Sequence, residues 1–273
     1  MNYRWAWRFV LLVPVLIEIA CTKQETETEK SMILGHAGTS LYPERCPYPP
    51  NTFESCRYAL DILCAHGIEV DVQLTADQNL ILFHDYYLNE NSTLVGCIGN
   101  YTLAELESEF VYHSAYPFTT LTRVANLCAS RDKFLLLDIK HYNFCDSSFI
   151  SPNEFNAALA ESLTALNETE KQQVIVNTQY EVLLDSLSDL TLVKCFETRS
   201  PSDGIQFVKD SRADMLCLPL ECMDESYAAQ MKKDSIPFML FNVKTPADHK
   251  KAIRFNPTFI ISDNIAFGKK ISH

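Results

Sequence analysis

Glu69 and Asp71 stand two residues apart in the apolar run GIEVDV, and on a β-strand residues i and i+2 share a face. The two carboxylates therefore project together, while Val70 and Val72 turn the other way into packing. Two like charges side by side and out of water repel each other and lose solvation, so they call for a cation, a shared proton or strong donors. A metal ion is the economical answer. Alone, a Glu-x-Asp is more often the solvent face of a half-buried strand. Here Asp77-Gln78-Asn79 reads as a turn, and the LILF run after it carries His84 and Asp85 back beside the acidic pair.

The elements that must position these groups alternate along the chain. SMILGH, IEVDV, FLLLDIK, QVIVN, LTLVKCF, DMLCLPL, FMLFNV and FIISD read as eight core strands, with LILF paired beside the second. Near-continuous apolar strands imply a parallel sheet covered on both faces. Helical patterns run from about Asn51 to Ala65, from near Pro152, and after Tyr180, Asp203, Asp224 and Pro246. Asn51 followed by Glu54 resembles a capping box, so Asn51 is read as a helix cap. An open doubly wound sheet competes with a closed (β/α)₈ TIM barrel. The barrel is favoured because His36, Asp138, Lys140, Asn177, Glu197, Asn242, Lys244 and Asp263 fall at or just past strand C-termini, where such barrels assemble their sites. Residues 86–133 are expected as a small insertion after the second strand, with GCIGN at a turn and TLAELES as a short helix.

The chain has 273 residues, 47% apolar and 21% charged, with a formal net charge of −12. That balance argues against general nucleic-acid binding, which relies on clustered Lys and Arg. Arg4 and Arg8 followed by FVLLVPVLI give residues 1–20 the pattern of a signal peptide. Ile19-Ala20-Cys21 is similar to a bacterial lipobox, which would lipidate Cys21 and anchor the protein to the membrane of a bacterial envelope, facing periplasm or exterior. Glu18 departs from that pattern, and simple secretion is the alternative. The charged residues 21–30 read as a tether, and 31–273 as one domain. Cys195 and Cys217 sit in apolar runs and read as buried small hydrophobes, whereas Cys46 and Cys56 are the pair selected for a disulfide.

The ordered series HAG at His36, NTFES at Asn51, EVDVQLTAD, FHD at His84, LLLDIK at Asp138 and the late FNV and IISD runs resembles the glycerophosphodiester phosphodiesterase family over about Ile33 to Asp263. The resemblance implies a phospholipase C-like phosphodiesterase barrel. It implies Glu69, Asp71 and Asp138 as ligands of one divalent cation, and His36 and His84 as the acid and base. Three carboxylates without cysteine or clustered imidazole suit a hard cation, Ca²⁺ or Mg²⁺. Lys140, on the face of Asp138, is expected at a phosphate oxygen. The implied activity is hydrolysis of deacylated phospholipids to glycerol 3-phosphate and an alcohol.

Two positions depart from the family pattern. Ala37 stands where Arg is usual, and Pro50 where Glu is usual, so an ion pair near the phosphate is absent as a unit. Asp138 is shorter than the common Glu. Lys244, where Asn is common, could return a cation to the rim, although a lysine cannot reproduce an arginine fork. Arg45 and Arg57 are rival donors. Alternative functions are a phospholipase D-like or lyase activity on lysophospholipid or sphingolipid, and a catalytically weak barrel that binds glycerophosphodiesters.

Overall fold

A computed structural model describes residues 31–42, 46–187 and 190–272. The segments expected as a leader at 1–20 and a tether at 21–30 with Cys21, and Arg45, lie outside the described residues.

Eight parallel strands close into a barrel. In chain order they are β1 (Met32–Gly35), β2 (Gly67–Leu74), β4 (Phe134–Ile139), β7 (Val174–Thr178), β8 (Val193–Glu197), β9 (Met215–Pro219), β10 (Phe238–Val243) and β11 (Phe259–Ser262). The first strand pairs with β2 on one side and β11 on the other, in the register Leu34 to Gly67 and Leu34 to Ile261. Closure thus joins the two ends of the sheet. Strand β3 (Leu80–Leu82) runs antiparallel beside β2 through Val72 and Leu82, as the turn at Asp77-Gln78-Asn79 requires. Gln78 takes a φ of 60° in that turn.

Two apolar layers explain why the strands carry so few polar residues. Side chains such as Leu34, Leu136, Ile175, Cys195, Cys217 and Met239 fill the barrel interior, while Ile68, Val70, Leu137, Val176, Leu216 and Leu240 face the surrounding helices. Both cysteines expected in the core are there. The helices are α1 (Phe53–Asp61), α2 (Leu103–Glu107), α3 (Leu121–Ala129), α4 (Pro152–Ser162), α5 (Glu168–Lys171), α6 (Glu181–Ser186), α7 (Pro201–Lys209), α8 (Glu225–Lys233), α9 (Pro246–Arg254) and α10 (Ile265–Ile271). Pro at the first turns of α4, α7 and α9 fits, because the first helical amides need no intrahelical acceptor.

The segment expected as an insertion at 86–133 divides in two. Helix α3 packs on β3, β4 and α1 as part of the outer ring, so the added piece ends near Thr120. That piece has a small core of its own, built from Phe83, Leu88, Ile98, Leu106, Val111 and Phe118. Its GCIGN stretch forms a short 3₁₀ turn at Ile98–Asn100. A two-stranded hairpin unforeseen in the sequence, β5 (Tyr142–Asn143) with β6 (Ser148–Phe149), follows β4. A disulfide from Cys97 to Cys145 ties the hairpin to the insertion. The expected Cys46–Cys56 bridge is not formed: Cys56 lies on the buried face of α1, and Cys46 Sγ instead contacts the Thr39 hydroxyl.

Candidate active site

Parallel pairing sets Asp71 directly beside Asp138, and Glu69 lies one alternation below Asp71 on the same face. Glu69 and Asp71 are 3% and 1% exposed. One ligand oxygen from each of the three carboxylates can be chosen so that all lie within 4.8 Å of one another. Oxygens around a common hard cation at roughly 2.0–2.6 Å have that spacing, so the donor set fits a divalent metal ion in type and reach, with coordination positions left for other oxygens.

Each acid is also held by the protein. Glu69 Oε2 accepts the Ala37 N–H at 2.7 Å, and Ala37 reaches it with a φ of 47°. Asn51, with a φ of 57°, donates its amide to Asp71 Oδ2 at 2.7 Å and accepts the Asp71 N–H at Oδ1. Lys140 Nζ lies 2.7 Å from both Asp71 Oδ1 and Asp138 Oδ2. Burial, then repulsion from Asp71, pushes the Glu69 carboxyl up to about 8. Burial opposes the ionisation of Asp71 as well, yet Lys140, His84 and the Asn51 amide draw its carboxyl down to about 2. The lysine therefore compensates Asp71 and Asp138, whereas the cationic neighbour of Glu69 is the His36 ring.

Two imidazoles flank the acids. His36 follows β1, and its Nδ1 lies 2.9 Å from Asp263 Oδ1, which also accepts the Ser40 hydroxyl and the Leu41 amide. A carboxylate accepts, so Nδ1 donates, and Nε2 is the atom 4.0 Å from Glu69 Oε2. Burial works against the charged ring, but the Asp263 hydrogen bond and the charges of Glu69 and Asp263 raise His36 to about 9. His84 follows β3 with Nδ1 2.8 Å from Asp85 Oδ1, and Asn91 donates to the other Asp85 oxygen.

These groups share a cavity of about 230 Å³ with Lys244, Tyr42, Phe241, Asn177 and Glu197. Lys244 Nζ lies 5.4 Å from the Tyr42 ring centroid, at the rim rather than among the acids. Asn177 donates to Glu197 at 2.8 Å, while its own Oδ1 is buried without a partner. Burial, then the nearby Asp138, raises the Glu197 carboxyl.

The structure thus brings His36, His84, Glu69, Asp71, Asp138, Lys140 and Lys244 to one mouth of the barrel. Lys140 faces two carboxylates as well as the cavity. Asn51 is not the helix cap expected of it: Thr52 caps α1 by accepting the Ser55 amide, and Asn51 turns inward to Asp71. Either residue type caps well, so the Asn-Thr pair conceals which one does. Asp263 was visible as a rim residue, but its pairing with His36 needs barrel closure. The two departures from the family pattern are neighbours in space, since the Asn51 amide after Pro50 donates to the Ala37 carbonyl at 2.9 Å.

The sequence matches the model of the glycerophosphoryl diester phosphodiesterase family over residues 43–266. A glycerophosphodiester phosphodiesterase of Bacillus altitudinis is 37% identical over 95 residues, which are 33% of this chain and 38% of that protein. The chain therefore spans about two-fifths of the length of that curated relative. Among solved structures, an Oleispira antarctica phosphodiesterase in complex with the product sn-glycerol-3-phosphate superposes with a TM-score of 0.74 at 18% identity, covering 88% of this chain and 96% of that one. A glycerophosphodiester phosphodiesterase from Thermotoga maritima gives 0.69 at 22% identity, covering 88% and 98%. Both share the barrel.

Proposed function

We propose a function from one premise: this chain belongs to the glycerophosphoryl diester phosphodiesterase family. It hydrolyses glycerophosphodiesters to glycerol 3-phosphate and an alcohol with the help of one divalent cation, Ca²⁺ or Mg²⁺. The observation that carries this reading is the convergence of three carboxylates within 4.8 Å beside two imidazoles in one cavity. The proposed product is the compound bound in the Oleispira antarctica structure.

Glu69, Asp71 and Asp138 would hold the cation, which supplies charge neutralisation and polarises the phosphoryl oxygens. Asn51 and the Ala37 amide keep the acids in place, so the ligands are ordered before substrate arrives. Each histidine has Nδ1 committed to an aspartate, which orients the ring and leaves Nε2 for proton transfer. One ring accepts the proton of the attacking glycerol 2-hydroxyl, and the other donates to the departing alkoxide. Water then opens the cyclic phosphate. Lys140 balances Asp71 and Asp138 and reaches a phosphate oxygen from that position. Lys244 at the rim stands in for the arginine replaced by Ala37.

The test is release of glycerol 3-phosphate from glycerophosphocholine in Ca²⁺ or Mg²⁺, with and without chelator. No turnover of any glycerophosphodiester or lysolipid in either metal would sink the reading, and accumulation of cyclic phosphate would move the activity to a lyase. An unchanged kcat/KM in Lys244→Ala would remove that residue from the site. The lipid anchor at Cys21 is a separate proposal for a bacterial envelope location, checked by the mass of the N-terminal peptide and its loss in Cys21→Ser.

A further inference from the structure

Beside the catalytic cavity lies a second groove of about 240 Å³, and Lys140 lines both. The two are also continuous along the chain: Gln73 lies two residues beyond Asp71 on β2, and Tyr86 two beyond His84. A phosphodiester seated at the carboxylates would have its leaving alcohol within reach of this groove. We propose that the groove is the subsite for that alcohol and that it selects a cationic amino alcohol, one ending in a quaternary or primary ammonium. The assignment rests on the hydrolytic reading above.

The lining has two features suited to such a group. Tyr86, Tyr142 and Phe149 supply aromatic faces, and Phe144 packs among them, 4.4 Å from Tyr86 and 4.8 Å from Tyr142 between ring centroids. Phe149, although it stacks on Tyr180 at 5.0 Å between ring centroids, is 56% exposed and Tyr86 37%, so both rings keep surface for a ligand. Ring faces carry the negative part of the aromatic quadrupole and attract poorly hydrated cations, quaternary ammonium above all. Asp146 and Glu154 add carboxylates to the same lining. Among the residues described as lining it, Lys140 is the only Lys or Arg, and its ammonium is engaged by Asp71 and Asp138. An anionic head group would meet uncompensated acids here. An acyl chain would have to cover Asp146, Glu154 and Gln73, which costs desolvation that a hydrocarbon cannot return.

The groove is also built to keep its shape. The disulfide from Cys97 to Cys145 lies between Phe144 and Asp146 in sequence and pins the hairpin that carries both. Asn143 and Ser148 donate to the Asp146 carboxylate, holding its charge in the turn. Gly99 lets the hairpin approach, since a Cβ there would come within 2.9 Å of Asn143 Nδ2.

The experiment compares glycerophosphocholine with the glycerophosphodiester of 3,3-dimethylbutanol, which replaces the charged nitrogen by carbon at equal shape. In the wild type kcat/KM should favour the choline ester by about tenfold. The ratio should fall toward one in Tyr142→Leu and in Glu154→Gln, the latter a conservative change at an exposed position. Binding of tetramethylammonium chloride, followed by NMR saturation transfer, should be saturable and weaken several-fold in Glu154→Gln. A wild-type ratio near one, a ratio unmoved by both variants, or a rate that rises with acyl-chain length whatever the head group would overturn the subsite. Failure to cleave either ester would overturn the hydrolytic reading instead. The tetramethylammonium titration then decides the groove alone: saturable binding weakened by Glu154→Gln upholds it, and no saturable binding rejects it.

Discussion

His36 and His84 present Nδ1 to an aspartate at nearly the same distance, 2.9 and 2.8 Å, but the two pairs are made by different means. His84 pairs with its neighbour in sequence, on a turn, with side chains 40% and 32% exposed. His36 pairs with a residue 227 positions away, with Asp263 only 1% exposed. One pair is local chemistry on the edge of an insertion. The other exists only because β1 and β11 close the barrel. Similar His–Asp geometry is thus supported once by a few loop contacts and once by the whole fold, so the two should respond alike to loss of the ring and unlike to loss of its support.

The largest expected effect is the shared one. His36→Ala and His84→Ala should each lower kcat on glycerophosphocholine by about 10²–10⁴-fold. A loss below tenfold in either would end the equivalence of the two rings. Removing the aspartates should then separate the pairs. Asp263→Ala strands the Ser40 hydroxyl, the Leu41 amide and His36, and should cost about 2–4 kcal/mol in urea unfolding. Asp85→Ala, at the wetter site, should cost under about 1 kcal/mol. Equal costs would mean that burial does not distinguish them.

Reduction of the Cys97–Cys145 bridge acts on the His84 side alone, because Asn91, which holds Asp85, belongs to the tied insertion. The insertion should lose about 2 kcal/mol of local stability, seen as faster amide exchange over residues 86–118 with β1 and β11 unaffected. Faster exchange in β1 would show that the two halves are coupled. The smallest effect comes from a third imidazole that serves as a control. His249 is fully buried, donating from Nδ1 to the Thr245 carbonyl and accepting the Ser262 hydroxyl at Nε2. Burial lowers its pKa, where the aspartate raises that of His36. A folded-state pKa below the ordinary value of about 6.5 means stability that is present above that pH and drains away as pH falls through the lowered pKa. His249→Gln should flatten this acid-side loss in thermal melts, and an unaltered slope would assign it elsewhere.

Alternating apolar strands and polar rim residues made the barrel legible, because a parallel sheet covered on both faces leaves nowhere else for Asp138, Asn177 or Asp263 to stand. Glu69 and Asp71 were legible for the same reason. The period-two pattern says that both point one way, and burial says that they need compensation. Asn51 reads as a cap from sequence because Asn and Thr compete for one capping role, and only the left-handed turn at Asn51 resolves it. The Cys97–Cys145 bridge joins two loops that flank different strands, and loop-to-loop proximity has no periodic signature. The 142–149 hairpin was hidden likewise, being too short for alternation to show.

Barrel closure also sets a schedule for biosynthesis. Synthesis runs from the amino terminus, so His36 leaves the ribosome long before its partner Asp263 has been translated. Until β11 emerges, β1 lacks one neighbour and His36 lacks its carboxylate. A nascent chain that ends before β11 carries the acidic strand, the turn and His84 but not the carboxylate that orients His36. The last strand to emerge therefore completes the pairing of His36 with Asp263.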